Sequence, residues 1–179
     1  MACCTPACLF APGVAWPGEY PGEAEHMGKF EETSRKLADT FSRHDLEGLA
    51  NVYAADAVAY DPMYPEPLRG RAAIKKDAAT FLRGFPDLRF EIVSIFEKDD
   101  RNGAGEMRLT GTHTGPLETP TGDEVPPTNK RVDLKGGAFV RLNERGEIIE
   151  ERRYYDVGTI LRQLGIVPEK APEPAGSRR

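Results

Sequence analysis

The stretch Arg145–Gly165, RGEIIEERRYYDVGTILRQLG, decides the architecture. Arg145-Gly146 closes a turn and an extended run follows. Asp156 stands where that run passes directly into a short helix, Val157–Leu164, which Gly165 and Pro168 end. An acid at such a junction either caps the helix, a contribution of about 1 kcal/mol, or faces a pocket and does chemistry. What precedes the junction decides what the acid is attached to.

Working outward, Glu147–Tyr155 is the last strand, Asn143–Gly146 its turn, and Arg131–Leu142 the strand before it. Gly105–Thr114 places Met107, Leu109 and His113 on one side of an earlier strand, with Glu106, Arg108, Thr110 and Thr112 on the other. Leu88, Phe90, Ile92 and Phe96 share one side of a strand before that, and Asn102-Gly103 is the predicted hairpin turn. Gly115–Asn129 is Pro-rich and aperiodic, a long loop of the kind that edges a binding site. Upstream the period is helical. Phe30, Leu37, Ala38 and Phe41 make one apolar face over Phe30–Arg43, and Leu46–Tyr53 is a second short helix capped by Asp45. Ala57–Tyr60 reads as a short strand stopped by Asp61-Pro62. Tyr64–Pro67 is extended because each Pro excludes helix before it, and Gly70 opens a third helix, Arg71–Leu82. Three helices around one strand, then a meander of long strands, then a short helix is an α+β order. Helices laid on the concave face of a twisted sheet leave a cone able to hold a small apolar molecule.

Composition narrows the function classes. The 179 residues suit one domain with tails, divided here as an extension over 1–27, a folded unit over 28–167 and a tail over 168–179. Both end segments are Pro-rich and read as disordered, and Met27, just before the first helix, is an expected translation start. A net charge of -5 with interspersed Lys and Arg argues against nucleic acid. No run approaches the roughly 20 apolar residues of a membrane helix. Cys3, Cys4 and Cys8 lie together at the start, so they staple no distant parts, and no His or Cys partner follows at metal-finger spacing. The expectation is a cytoplasmic protein with neither metal nor membrane partner.

Gly111-Thr112-His113-Thr114-Gly115, Pro126-Pro127-Thr128, Arg145-Gly146-Glu147-Ile148, Asp156 and Leu161-Arg162-Gln163-Leu164-Gly165, in that order, resemble the SnoaL-like polyketide and ester cyclase family. The likeness spans about Phe30–Val167. It implies the cone-shaped roll of the nuclear transport factor 2-like (cystatin-like) superfamily, a strongly curved, mostly antiparallel sheet wrapped around N-terminal helices. It further implies a cofactor-free cyclase or isomerase, in which a pocket acid or base removes a proton next to a carbonyl and the enolate attacks a second carbonyl. Carried over by position, the family's catalytic aspartate falls at Arg153 and its pocket histidine at Phe139. An Arg stays protonated at neutral pH, so that mechanism does not transfer intact. The related epoxide hydrolases use an Arg and an Asp two apart. Arg131-Val132-Asp133 has that spacing one strand too late, and it reads as coincidence.

The candidate catalytic groups are therefore His113, Asp156 and Asp61, each with a plain alternative. His113 shares an apolar strand side and can be poised near neutral pH, or it is a hydrogen-bonded core residue. Asp156 is a pocket acid or a cap. Asp61 orients a ligand at the cone mouth or makes a turn. Tyr60, Phe139, Arg153 and Tyr155 are the candidate substrate-binding residues; tyrosines there either donate to an oxyanion or are core. Arg153, facing inward, would hold an anionic oxygen; facing outward, it joins Glu150 and Glu151 as a solvated charge. Two function classes follow: a small-molecule cyclase or isomerase, and a noncatalytic ligand-binding or scaffold domain that keeps the cone. A homodimer is expected, through the alternating apolar face of Val132, Leu134, Ala138, Val140 and Leu142.

Overall fold

The computed structural model describes residues 28–167. The expected disordered extension, the cysteines, the Met27 start and the C-terminal tail lie outside them. Four helices are described, α1 (Lys29–Ser42), α2 (Leu46–Ala50), α3 (Arg71–Gly84) and α4 (Val157–Leu164). The six strands β1 (Tyr53–Tyr60), β2 (Leu68–Arg69), β3 (Arg89–Asp99), β4 (Asn102–Thr112), β7 (Arg131–Leu142) and β8 (Ile148–Tyr155) form one sheet in the order β2-β1-β8-β7-β4-β3. Only β1 and β8 run parallel; the other neighbours are antiparallel. A small hairpin, β5 (Leu117–Glu118) with β6 (Glu124–Val125), occupies the Pro-rich loop. The architecture is the expected α+β roll. No described helix is long and apolar enough to cross a membrane.

The core lies between the helices and the concave face of the sheet, in two neighbouring clusters. Phe30, Leu49, Tyr53, Ile74 and Ile148 centre one, while Phe85, Leu88, Leu134, Ile160 and Leu164 centre the other. Gly28 offers no side-chain cap to α1, and Glu97 of β3 supplies one from outside, accepting from the Glu31 amide at 2.9 Å. Asp45 caps α2 and Asp156 caps α4, each accepting from the amide of a glycine on the first turn.

Four local expectations change. The second helix stops at Ala50, and Tyr53, expected to close it, opens β1, four residues before the predicted Ala57. Against β8, the register of β1 slips between Tyr53 and Val58, so the alternation that marks a strand is legible only after the slip. The tip between β3 and β4 is Asp100-Arg101, not Asn102-Gly103. Asp99 accepts there from the Arg101 amide at 3.0 Å and from Asn102 Nδ2 at 2.8 Å. Gly103 is instead a strand residue, with the Phe30 ring lying where its side chain would be, 2.7 Å from an added Cβ. A register shift between Ile92 and Ser94 turns Phe96 to the side opposite Phe90 and Ile92, and it is 67% exposed.

The fourth correction concerns the dimer face. Val132, Leu134, Ala138 and Leu142 are buried against the protein's own core, so they are not available to a second copy. Exposed aromatics lie on the convex face instead, where Phe96, Ala104, Phe139, Arg152 and Tyr60 stand in register across five strands.

Candidate functional site

Inside the cone, β8 alternates Glu151, Arg153 and Tyr155 toward the helices and Glu150, Arg152 and Tyr154 away from them, while Ile148, on the other side of a register shift, is in the core. Arg153 therefore points inward. Its guanidinium is met by three acids from three elements. Nη1 donates to Asp77 Oδ2 of α3 at 2.9 Å and to Asp61 Oδ2, at the end of β1, at 3.2 Å; Nε donates to Glu151 Oε2 at 3.0 Å. The acid side chains are 5 to 8% exposed. Burial works against the charge of Arg153, but Glu151, Tyr53, Asp77 and Asp61 outweigh it and hold the guanidinium well above its usual range.

Tyrosines complete the cluster. Tyr155 donates to Asp61 Oδ1 at 2.6 Å, Tyr64 to Asp77 Oδ1 at 2.8 Å and Tyr53 to Glu151 Oε2 at 2.8 Å. Burial first, and the adjacent carboxylate second, push all three phenols up, so they remain donors at neutral pH. Asp61 is fixed by its turn as well, for Pro62 ends β1 and the Met63 amide donates to Oδ1 at 2.9 Å. The cluster forms one end of a cavity whose other walls are apolar, among them Leu37, Phe41, Ile74, Phe81, Phe90 and Leu134. Its free volume of about 60 Å3 has room for a group of a few heavy atoms, and the cavity is partly open to solvent, so a larger ligand would extend from its mouth.

Of the seven residues singled out from sequence, the structure brings Asp61, Arg153 and Tyr155 together at this cavity. The other four lie elsewhere. Asp156 is an exposed cap that accepts from Gly158 N and from Thr159 and Arg162, and those last two contacts hold its carboxyl below the usual range. Phe139 is on the convex face, edge-on to Tyr154 at 5.8 Å. Tyr60 lies under the Arg152 guanidinium, 4.6 Å from its ring centroid. His113 follows the end of β4, fully buried against Phe85, and does not line the cavity. Its Nδ1 lies 3.1 Å from Thr128 Oγ1 and 3.2 Å from the Thr128 amide nitrogen, and Nε2 has no partner among the described residues.

That placement gives His113 a pH signature. Burial holds its imidazole below the usual value, so the unfolded chain takes up a proton where the folded chain does not. Stability therefore falls as pH drops below about 6.5, and the fall levels off once the folded imidazole also protonates. Urea midpoints at about pH 7.5 and about pH 5.5 should differ less in His113→Asn than in the wild type. Equal differences in the two proteins would contradict this account.

Glu151, Asp77, Tyr53 and Tyr64 were missed by sequence reasoning. Asp77 did leave a signal, for Ile74, Asp77, Ala78 and Phe81 share one helical face and an acid amid that spacing is out of place on a solvated surface. Glu151 left only its parity with Tyr155.

A family model described as SnoaL-like polyketide cyclase matches residues 31–164. Similar solved structures include AclR, a proposed hydroxylase from Streptomyces galilaeus, 25% identical over 81% of this chain and 85% of that one, with a TM-score of 0.67. A SnoaL-like polyketide cyclase candidate from Jannaschia sp. CCS1 is 21% identical over 78% of this chain and 94% of its own, with a TM-score of 0.65. SalBIII, an epoxide hydrolase/cyclase-like enzyme with a role in pyran ring formation in the polyether salinomycin, is 16% identical over 73% and 93%, with a TM-score of 0.60. No curated protein matches the sequence significantly.

Proposed function

The chain belongs to the SnoaL-like polyketide cyclase family, and from that premise we propose that it binds a compact, largely apolar carbonyl compound in its cavity and moves a proton next to the carbonyl, as a cyclase or isomerase does. One observation carries this reading: charged and phenolic groups converge on one end of an otherwise apolar cavity. Apolar walls hold the carbon skeleton, and the polar end fixes its orientation. Arg153 can receive the carbonyl oxygen through Nη2, whose contact to Glu151 Oε2 at 3.0 Å leaves N–H capacity toward a ligand. The buried carboxylates supply the acid and base, and proximity within the cavity supplies much of the remaining rate. An epoxide hydrolase reading has less support, because Arg108 grips Asp133 through both carboxylate oxygens, away from the cavity.

Thermal shift with cyclohexanone and related cyclic ketones tests the proposal. A ligand at 100 times its dissociation constant should add about 2.7 kcal/mol. Ala78 lines the cavity and is buried, so Ala78→Leu should fill the space and abolish the shift. A wild type that no ketone stabilises, or a filled variant stabilised equally, would sink the reading.

A further inference from the structure

We infer that Glu151 is the proton acceptor of the cavity, with Oε1 as its basic atom; the inference rests on the cavity being the ligand site. Three carboxylates line that cavity, and their engagements differ. Asp61 uses Oδ1 for Tyr155 and the Met63 amide and Oδ2 for Arg153. Asp77 uses Oδ1 for Tyr64 and Oδ2 for Arg153. Glu151 gathers its partners on one oxygen. Oε2 receives Tyr53 at 2.8 Å and Arg153 Nε at 3.0 Å, and lies 3.0 Å from Nη2. Among the described residues, Oε1 accepts no hydrogen bond.

Oε1 is not sealed away, since the buried side-chain nitrogen and oxygen atoms without a partner among the described residues are His44 Nε2 and His113 Nε2, so it is an open acceptor that a ligand C–H or O–H can reach. Glu151 as a whole is only 4% exposed. The same contacts that leave Oε1 open also aim it. Asp61 and Asp77 hold Arg153, Arg153 and Tyr53 hold Oε2, and the carboxylate plane is fixed. Asp61 and Asp77, acting through Arg153, are thus positioning residues for this base. In the step itself, Oε1 takes the proton from the carbon beside the carbonyl. The C–H electron pair becomes the enolate, and its oxygen meets Arg153 Nη2. The proton then returns from Glu151 to another position of the ligand, or the enolate carbon bonds to a second carbonyl whose oxygen receives that proton. Neither outcome needs an oxidant or reductant.

The probe 5-nitrobenzisoxazole tests this without the natural substrate. A base removes its C3 proton as the N–O bond breaks, giving a yellow cyanophenolate, and Glu151 passes the proton on to water. The full-length wild type should accelerate the reaction over free acetate at equal carboxylate concentration, and Glu151→Gln should be at least about 100-fold slower than wild type. Glu151→Asp keeps the charge that Arg153 needs for folding but withdraws the oxygen by one methylene, and should be about tenfold slower. Glu150→Gln, on the opposite strand face, should match the wild type. Wild-type rates in both Glu151 variants overturn the proposal. So does a probe that binds in a thermal-shift titration yet reacts no faster than with acetate, an outcome that leaves the cavity reading standing. Neither binding nor acceleration overturns both.

Discussion

Arg153→Met is expected to lose about 3–5 kcal/mol of stability, the range found when one partner of a buried ion pair is removed. The expectation follows from geometry. Asp61, Asp77 and Glu151 come from the end of β1, from α3 and from β8, and among the residues lining the cavity Arg153 is the one cation they share. Methionine replaces much of the volume and none of the charge, so three carboxylates are left buried together. Arg153→Lys should recover little, because a point charge cannot reach three acids on different elements as a planar guanidinium does. Asp77→Asn in the Arg153→Met background should regain part of the loss, whereas in the wild-type background it should destabilise; that sign reversal is the coupling a double-mutant cycle measures. Urea unfolding supplies the numbers, and a loss below about 1 kcal/mol for Arg153→Met would mean that the cluster is not held as described.

The inward direction of Arg153 was not legible in the sequence, for a physical reason. Residues 148–155 read Ile-Ile-Glu-Glu-Arg-Arg-Tyr-Tyr, so strict alternation would give each face of β8 one Ile, one Glu, one Arg and one Tyr. With period 2, no hydrophobic contrast exists to choose between them. The choice is made by the neighbouring strand, where Ala138 is buried and pairs with Arg153 while the exposed Phe139 pairs with Arg152. Architecture was easier because its signals are local: turn residues, caps and the change from helical to alternating period place most elements within a few residues. The failures share one cause. Tyr53, Phe96 and the strand tip at Asp100-Arg101 all sit at or beside register shifts, where counting by twos gives the wrong face. The cluster around Arg153 is non-local. Asp61, Asp77 and Glu151 meet only after β1 has paired with β8 and α3 has folded over the cavity. Asp156, the acid conspicuous in sequence, performs the local task of capping that its position made visible.

The second large effect is expected at Gly115, where alanine should remove about 3 kcal/mol, toward the upper end for overpacking a filled site. An added Cβ there would lie 1.9 Å from the Arg83 carbonyl oxygen and 3.0 Å from its carbon, both backbone atoms that no rotamer change can move aside. The amides of Thr114 and Gly115 both donate to the Gly84 carbonyl at 3.1 Å, and the His113 ring packs at a tilt against Phe85, so the Gly-Thr-His-Thr-Gly run clasps the C-terminal end of α3. That helix carries Asp77 into the cavity. A loosened clasp should therefore weaken ligand stabilisation along with the fold, without any residue of the run touching the ligand. Gly111→Ala, with its nearest contact at 3.1 Å from a Leu88 methyl, should be milder. Gly105→Ala meets only ordinary contact at 3.6 Å and should be neutral or stabilising by up to about 1 kcal/mol. Equal unfolding midpoints for the Gly115 and Gly105 variants would show that the segment relaxes away from α3, and that the run does not hold the helix in place.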